Sequence, residues 1–308
     1  MRALILIAAL LLAVLLVAGF WLYAPDRPRA ALEARYAAAP SAFLEIDGVR
    51  LHLRDTGPRE APALILLHGF GSSLHTWDEV AALLEDRLRV IRLDLPGFGL
   101  TGPDPSGDYS DPRAIALIAA LMDRLGVAQA HILGSSMGGR IAWRFAAAQP
   151  ARVMRLVLMA PDGFAAPGQG YGAAPRVPLL MRVLPYTLPE RLLRASLAPA
   201  YGDPAVLTQD RFERYRDMML APGVRQAIVD RMAGHLLPPP EPILATIRAP
   251  VLLLWGERDG MVPAAHAADY QRVLQDSRLV TLPGLGHVPM EEAPEDVAAA
   301  LRGFLLGE

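Results

Sequence analysis

The sequence predicts an α/β fold in which helices cover both faces of a doubly wound, mostly parallel β-sheet. Four apolar runs are continuous rather than alternating, as is typical of strands that are buried on both faces: residues 63–69, 90–97, 130–136 and 155–161. Helical periodicity fills the gaps between these runs, at residues 76–86, 112–126 and 137–149. The alternation of strand and helix predicts a doubly wound α/β domain.

Further strands are predicted at both ends of this region. FLEIDG and VRLHLRDTG alternate in period two on either side of Asp47-Gly48, a dipeptide that favours a β-hairpin. Near the end of the chain, VLLLWGERD (251–259) and SRLVTLPG (277–284) resemble the buried runs. Helices are expected after them, at 263–275 and 293–306.

One long segment, residues 165–240, contains no strand-like run. It contains proline, glycine and helical fragments such as LPERLLRASL and QDRFERYRDMML. We therefore expect a helical cap that is inserted between two parts of the core, 41–164 and 241–308. Such an insertion would lie at the carboxyl edge of the sheet, where open α/β sheets bind ligands.

Residues 1–24 predict a transmembrane signal anchor. Residues 3–23 are uncharged, long enough to cross a bilayer as a helix, and end with Trp21 and Tyr23, aromatic residues that favour the headgroup level. A connector, 25–40, follows. We expect a single-pass protein of the bacterial inner membrane with its folded domain in the periplasm. Secretion or periplasmic release after signal cleavage is the alternative.

Composition restricts the classes of function. The 308 residues have a formal net charge of −2, so there is no electrostatic reason to expect nucleic acid as a partner. The sequence has no cysteine, which excludes disulfides and thiolate metal sites. We expect no cofactor and no metal, and no pattern indicates an oligomeric state.

The stretch HILGSSMGGR, residues 131–140, follows a buried strand and contains two adjacent serines. A nucleophile on a tight strand-to-helix turn needs very small residues two positions before and after it, because larger side chains would collide there. Ser136 has Gly134 and Gly138 at those positions, whereas Ser135 has Leu133 and Met137. Ser136 is therefore the predicted nucleophile, and Ser135 is interpreted as a strand-end residue.

A serine hydroxyl needs a base, and the base needs a carboxylate that orients it. His287, in the glycine-rich loop LPGLGHVPMEEAP after the last predicted strand, is the predicted base. Asp259 in LLLWGERDGMVP is the predicted acid, and it is preferred to Glu257 because it lies further into the loop. Asp162 in MAPDGF, after the preceding strand, is the alternative acid.

The oxyanion that forms during such a reaction needs backbone N–H donors. Met137 begins the helix after Ser136, and Phe70 lies in the loop HGFGSS, so their amides are the predicted oxyanion hole. His68 in this loop is interpreted as a hydrogen-bonded residue that shapes the loop. Asp94 in DLPGFG is given a structural role.

The ordered motifs HGFGSS, DLPGFG, GSSMGG, GERDGMVP and GLGHVPMEEAP resemble the α/β-hydrolase superfamily over residues 43–306. The chain resembles cap-bearing esterases and monoacylglycerol-lipase-like enzymes within it, and it is similar to the C–C bond hydrolases of ring-fission products. The resemblance implies an α/β-hydrolase fold, the same site residues as above, and a cap at 165–240. Haloalkane dehalogenases and epoxide hydrolases have aspartate where Ser136 stands, which argues against those activities.

The expected function is hydrolysis of carboxylic esters with apolar acyl or alcohol groups, including monoacylglycerol-like lipids, through an acyl-enzyme. The expected partners are a small-molecule ester substrate and, through the N-terminal helix, a membrane. C–C bond hydrolysis of meta-cleavage-type dienoates is the alternative, although Val288 stands where that group is expected to have tryptophan. A non-catalytic binding module is a further alternative.

Overall fold

The computed structural model describes residues 1–2, 6–7, 19–165, 170–172, 177–234 and 236–307. These residues form one eight-stranded sheet with the order β1-β2-β4-β3-β5-β6-β7-β8. The strands are β1 Ser41–Ile46, β2 Val49–Thr56, β3 Ala63–Leu67, β4 Arg89–Leu93, β5 Ala130–Ser135, β6 Val153–Met159, β7 Val251–Gly256 and β8 Ser277–Leu282. Strands β1, β2 and β4 pair antiparallel, and all the remaining pairs are parallel. The prediction of a mostly parallel sheet is confirmed.

Helices occupy the predicted gaps between strands. They are α1 Arg29–Tyr36, α2 Asp78–Ala82, α3 Asp111–Arg124, α4 Met137–Ala148, α5 Leu179–Arg182, α6 Glu190–Leu197, α7 Gln209–Met219, α8 Val224–Gly234, α9 Glu241–Leu244, α10 His266–Val273, α11 Pro289–Glu292 and α12 Pro294–Leu305. The helix predicted at 76–86 is shorter than expected, because a 3₁₀ turn at Leu74–Trp77 precedes α2 and the chain leaves the helix after Ala82.

Both faces of the sheet are buried, which explains the continuous apolar runs. In β3, Ile65 and Leu67 belong to one apolar cluster, whereas Leu64 and Leu66 belong to a second cluster on the other face. Helices α3 and α4 contribute to the first cluster, and α2 and α12 to the second. Because successive side chains of a strand point to opposite faces, a strand between two helical layers must be apolar at every position.

The segment 165–240 follows β6 and therefore leaves the sheet at its carboxyl edge. Its described residues form helices α5 to α8 and short 3₁₀ turns, without a strand. They build an apolar cluster of their own, which includes Leu193, Tyr201, Phe212 and Leu220. The segment therefore has its own small core besides its contacts with the sheet.

Most of the predicted signal anchor, residues 3–5 and 8–18, lies outside the described residues. Within the described part of the chain, no helix combines the length and the apolar character needed to span a bilayer.

The connector predicted at 25–40 contains a helix that is docked onto the segment 165–240. Leu32 of α1 is buried, at 2% exposure. Arg27 and Arg35 both form salt bridges with the buried carboxylate of Asp217 in α7. The connector after the predicted anchor is therefore bound to the helical segment through these salt bridges.

Candidate active site

Ser136 lies on a sharp turn between β5 and α4. Its backbone has φ 53° and ψ −119°, a left-handed conformation that costs a non-glycine residue about 1 to 3 kcal/mol. Ser135 ends β5 and is buried at 2% exposure, whereas Ser136 is partly exposed. The two adjacent serines thus differ in burial and in backbone conformation, and of the two only Ser136 lies at the strained turn.

The glycines around this turn are required by close backbone approaches. A Cβ atom on Gly134 would lie 2.1 Å from the carbonyl oxygen of Gly138. A Cβ atom on Gly138 would lie 2.3 Å from the carbonyl oxygen of Leu67 in β3. Both distances are far below van der Waals contact, so the steric requirement inferred from the spacing is confirmed.

Asp259 and His287 are hydrogen-bonded to each other. Asp259 follows β7, and its Oδ2 atom lies 2.7 Å from Nδ1 of His287 in the loop after β8. The other carboxylate oxygen accepts the N–H groups of Met261 and Val262, each at 2.8 Å. A carboxylate at Nδ1 keeps the proton on that nitrogen, which leaves Nε2 of His287 as the basic atom.

The alternative acid, Asp162, has a different partner. Its carboxylate forms a salt bridge with Arg140 in α4, one turn after Ser136. Arg140 also pairs with Asp111 at 3.2 Å. Of the two candidate acids, Asp259 is the one that the structure places on His287.

A cavity of about 240 Å³ lies against Ser136. Its lining among the described residues is Phe70, Ser136, Met137, Arg140, Asp162, Arg231 and Met232. The cavity therefore brings together the predicted nucleophile and both predicted oxyanion residues. Gly69, next to Phe70, lies close to Ser136: a Cβ atom on Gly69 would be 3.3 Å from the Cβ atom of Ser136.

The loop after β3 is held by a buried network. Nδ1 of His68 bonds to the carbonyl of Gly69 at 2.7 Å, and Nε2 accepts the N–H of Leu95 at 3.0 Å. Burial lowers the pKa of His68, although the carboxylate of Asp94 opposes this shift, so the ring is neutral. These contacts agree with the loop-shaping role predicted for His68.

Asp94 anchors the same loop. Its carboxylate accepts the N–H groups of Leu74 and Leu100 and a hydrogen bond from His52. Burial alone would raise its pKa, but His52 and the neighbouring histidines hold the pKa of Asp94 well below its usual range. Asp94 thus has the structural role that was predicted for it.

Two glutamates after His287, both within GLGHVPMEEAP, have roles that the sequence analysis does not predict. The buried carboxylate of Glu291 accepts hydrogen bonds from Thr76 of the core and from Tyr201, Arg214 and Tyr215 of the helical segment. Burial and this carboxylate raise the pKa of Tyr215 to about 12, so the phenol remains a donor. Glu291, which lies four residues after His287, therefore joins the core to the helical segment.

The neighbouring Glu292 holds the His287 loop directly. Its carboxylate accepts the N–H of Gly286, adjacent to His287, and the N–H of Gly202 in the helical segment, both at 2.7 Å. His287 itself donates its backbone N–H to the carbonyl of Ala200 at 2.7 Å. Helix α11, which begins two residues after His287, packs on Leu74–Trp77 in the loop that contains Phe70. These contacts hold the His287 loop against the helical segment, and α11 against the loop that contains Phe70.

Replacing Glu291 by glutamine is expected to lower the free energy of unfolding by about 2 to 4 kcal/mol. Glutamine preserves the shape but leaves the Arg214 guanidinium without its counter-charge in a buried site. Urea denaturation of both proteins measures the change. Glu295→Gln, at an exposed position in the first turn of α12, is the matched control and should be neutral. Equal stability of the two variants would contradict this role of Glu291.

Known proteins with similar sequences and structures are consistent with the fold described above. A family model described as the α/β-hydrolase fold matches residues 62–294. A 2-hydroxy-6-oxononadienedioate/2-hydroxy-6-oxononatrienedioate hydrolase of Pseudomonas putida is 30% identical over 89% of this chain and 97% of its own length. The dihydrolipoyllysine-residue acetyltransferase component of the acetoin cleaving system, also from Pseudomonas putida, is 30% identical over 85% of this chain and 68% of its own length.

A solved structure aligns with the whole chain. It is a membrane phospholipase A described as a bacterial virulence factor, with a TM-score of 0.75 and 26% identity over 100% of this chain and 99% of its own.

Proposed function

This chain is a hydrolase of the α/β-hydrolase fold family, and we propose that it cleaves carboxylic esters with apolar acyl or alcohol groups through an acyl-enzyme. The observation that carries the proposal is the strained turn that presents Ser136 to a cavity shared with Phe70 and Met137. The hydrogen-bonded pair Asp259 and His287 supplies the base that a serine nucleophile needs.

The proposed reaction has two steps. Oγ of Ser136 attacks the ester carbonyl carbon while Nε2 of His287 takes the hydroxyl proton, and the N–H groups of Phe70 and Met137 stabilise the oxyanion. The C–O bond then breaks, and the leaving alcohol receives the proton from His287. A water molecule attacks the acyl-enzyme in the same way, its proton passing through His287 to Ser136 as the carboxylic acid leaves. Asp259 keeps the imidazole oriented and stabilises its charged form throughout.

We assign the segment 165–240 to a cap over this site. Met232 and Arg231 of α8 line the Ser136 cavity, so the segment supplies one wall of the site. The segment and the His287 loop are also joined through Glu291 and Glu292. An ester bound at Ser136 would therefore contact both the core and the cap.

Turnover of p-nitrophenyl esters of graded chain length tests the proposal, together with labelling of Ser136 by a fluorophosphonate. We expect hydrolysis of medium-chain esters and labelling that is lost on heat denaturation. Absence of both turnover and labelling would refute a serine esterase. The first alternative is C–C hydrolysis of a meta-cleavage-type dienoate, which the dienedioate hydrolase of Pseudomonas putida favours by its similarity over nearly its full length. Consumption of such a coloured dienoate far faster than of any ester would establish that alternative.

We also propose that the enzyme is held at the bacterial inner membrane, with the hydrolase domain in the periplasm. Phe20 and Trp21, at the end of the predicted anchor, are exposed, and so are Leu179 and Leu180 of α5. The segment after Trp21 is bonded to the segment after α5. Tyr23 forms a β-bridge with Thr187, and the N–H of Ala24 donates to the carbonyl of Tyr186. Exposed apolar side chains near the end of a predicted anchor suit the surface of a bilayer. The similarity to a membrane phospholipase A supports the same location.

Membrane fractionation tests this location. Full-length protein should stay in the pellet after alkaline carbonate washing, and a C-terminal alkaline phosphatase fusion should be active. Recovery of the protein in the soluble fraction would refute the anchor. An inactive phosphatase fusion, together with a fluorescent C-terminal fusion to a reporter that works only in the cytoplasm, would refute the orientation.

A further inference from the structure

The cavity beside Ser136 has an excess of positive charge. Among the described residues that line it, Arg140 and Arg231 are cationic and Asp162 is anionic. Asp162 forms its salt bridge with Arg140, which also pairs with Asp111. The charge of Arg140 is therefore compensated within the protein, and the remaining charge is that of Arg231.

Arg231 is buried without a carboxylate partner. It is 7% exposed, and its two terminal nitrogens donate to the backbone carbonyls of Tyr109 and Pro96, at 2.9 and 2.8 Å. Within the part of the chain that the structure describes, no carboxylate lies within ion-pair distance of it, and its Nε atom has no hydrogen-bond partner. Neutral carbonyls satisfy some of its donors but do not cancel its charge.

Another arginine of the same helix shows the usual arrangement. Arg225 of α8 is 2% exposed and forms a salt bridge of 2.7 Å with Asp26. Buried charges in proteins are normally paired, because desolvation of an unpaired ion is costly. Burial, and next the nearby charge of Arg140, lower the pKa of Arg231 to about 10, so its guanidinium is still charged at neutral pH. An anionic ligand group would supply the missing counter-charge.

A second cavity shares part of its lining with the Ser136 cavity. It has a volume of about 490 Å³ and shares Arg140 and Arg231 with the Ser136 cavity. The larger cavity is lined by Tyr109 and Leu236 and also by charged side chains of both signs, namely Asp108, Asp111, Asp230 and Arg144. The excess of positive charge is therefore confined to the Ser136 cavity, at Arg231. A ligand group at Arg231 would lie on the route from the ester carbonyl to this second cavity.

We propose that Arg231 forms an anion subsite beside Ser136, and that the natural ester substrate carries a phosphate or carboxylate group there. This inference rests on the proposed ester hydrolysis and adds the charge of the substrate to it. Arginine suits the role because its planar guanidinium donates to phosphate and carboxylate oxygens through charge-assisted hydrogen bonds.

Three esters with one acyl chain test the proposal: 1-lauroylglycerol, 1-lauroylglycerol 3-phosphate and the lauroyl ester of glyceric acid. The native enzyme is expected to prefer one of the anionic esters over the neutral one by about tenfold or more in kcat/KM. The better anionic ester tells whether the group is a phosphate or a carboxylate. Arg231→Gln should abolish this preference, measured as the ratio of kcat/KM for the anionic ester to kcat/KM for 1-lauroylglycerol in the same variant. Arg225→Gln, in the same helix but outside both cavities, should keep the preference.

Equal rates for all three esters in the native enzyme would overturn the subsite but not the esterase. A preference that survives Arg231→Gln, or an equal loss for neutral and anionic esters in that variant, would overturn it too. If Arg231→Gln does not fold, inhibition of the native enzyme decides the question. Dodecyl phosphate should then inhibit hydrolysis of 1-lauroylglycerol about tenfold more strongly than dodecanol, and equal inhibition would refute the subsite.

Discussion

Ser136→Ala is expected to lower kcat/KM for a medium-chain p-nitrophenyl ester by a factor on the order of 10⁴ or more. The variant lacks the atom that forms the acyl-enzyme, and only binding and the oxyanion donors remain. Steady-state kinetics measure the loss, and mass spectrometry after fluorophosphonate treatment should show that the variant is unlabelled.

The neighbouring serine is the matched control for this variant. Ser135 ends β5 and is buried at 2% exposure, so Ser135→Ala removes one hydroxyl from the same short stretch without touching the cavity. It should retain activity within a few-fold of the native value. If Ser136→Ala kept native activity, or if the two variants lost it equally, Ser136 would not be the nucleophile.

Asp259→Asn is expected to lower kcat by about 10⁴ at neutral pH. Asparagine has nearly the same shape, but its amide favours the tautomer of His287 with the proton on Nε2, and that nitrogen is then no longer a base. The Asp259 carboxylate is fully buried against His287, so no other acid is expected to reach the imidazole in its place. Circular dichroism and thermal unfolding establish that the variant is folded before its kinetics are measured.

Asp162→Asn distinguishes the two candidate acids. Asp162 is bound to Arg140, and Arg140 keeps Asp111 as a partner when Asp162 is changed. Less than about tenfold loss is expected, because no interaction with His287 is removed. A larger loss for Asp162→Asn than for Asp259→Asn would reverse the assignment of the acid.

Local chemistry made much of this fold and site predictable. The continuous apolar runs indicated strands between two helical layers, since a strand with one exposed face alternates in polarity. The two glycines around Ser136 indicated the strained turn, because only glycine permits the approach of Gly134 to the carbonyl of Gly138. These inferences succeed because the steric requirements of a strand, or of a turn of a few residues, apply to residues that are adjacent in the sequence.

Contacts between distant parts of the chain were not predictable in the same way. Glu291 is one of many glutamates in the sequence, and its role depends on Tyr201, Arg214 and Thr76, which only folding brings to it. Arg231 likewise resembles any other arginine of the sequence. What distinguishes it is that no carboxylate of the described residues lies within ion-pair distance, and a sequence pattern does not reveal such distances.

The sequence by itself thus determined the sheet, the helical segment at 165–240 and the strained turn at Ser136, because these depend on side-chain periodicity and on steric limits within a few residues. The tertiary structure alone decided that Asp259 rather than Asp162 is hydrogen-bonded to His287. It also decided that Arg231 is buried beside Ser136 with no carboxylate of the described residues within ion-pair distance. Both outcomes depend on distances between groups that are far apart in the chain, and such distances are set by the order of the strands and by the packing of the helical segment on the core.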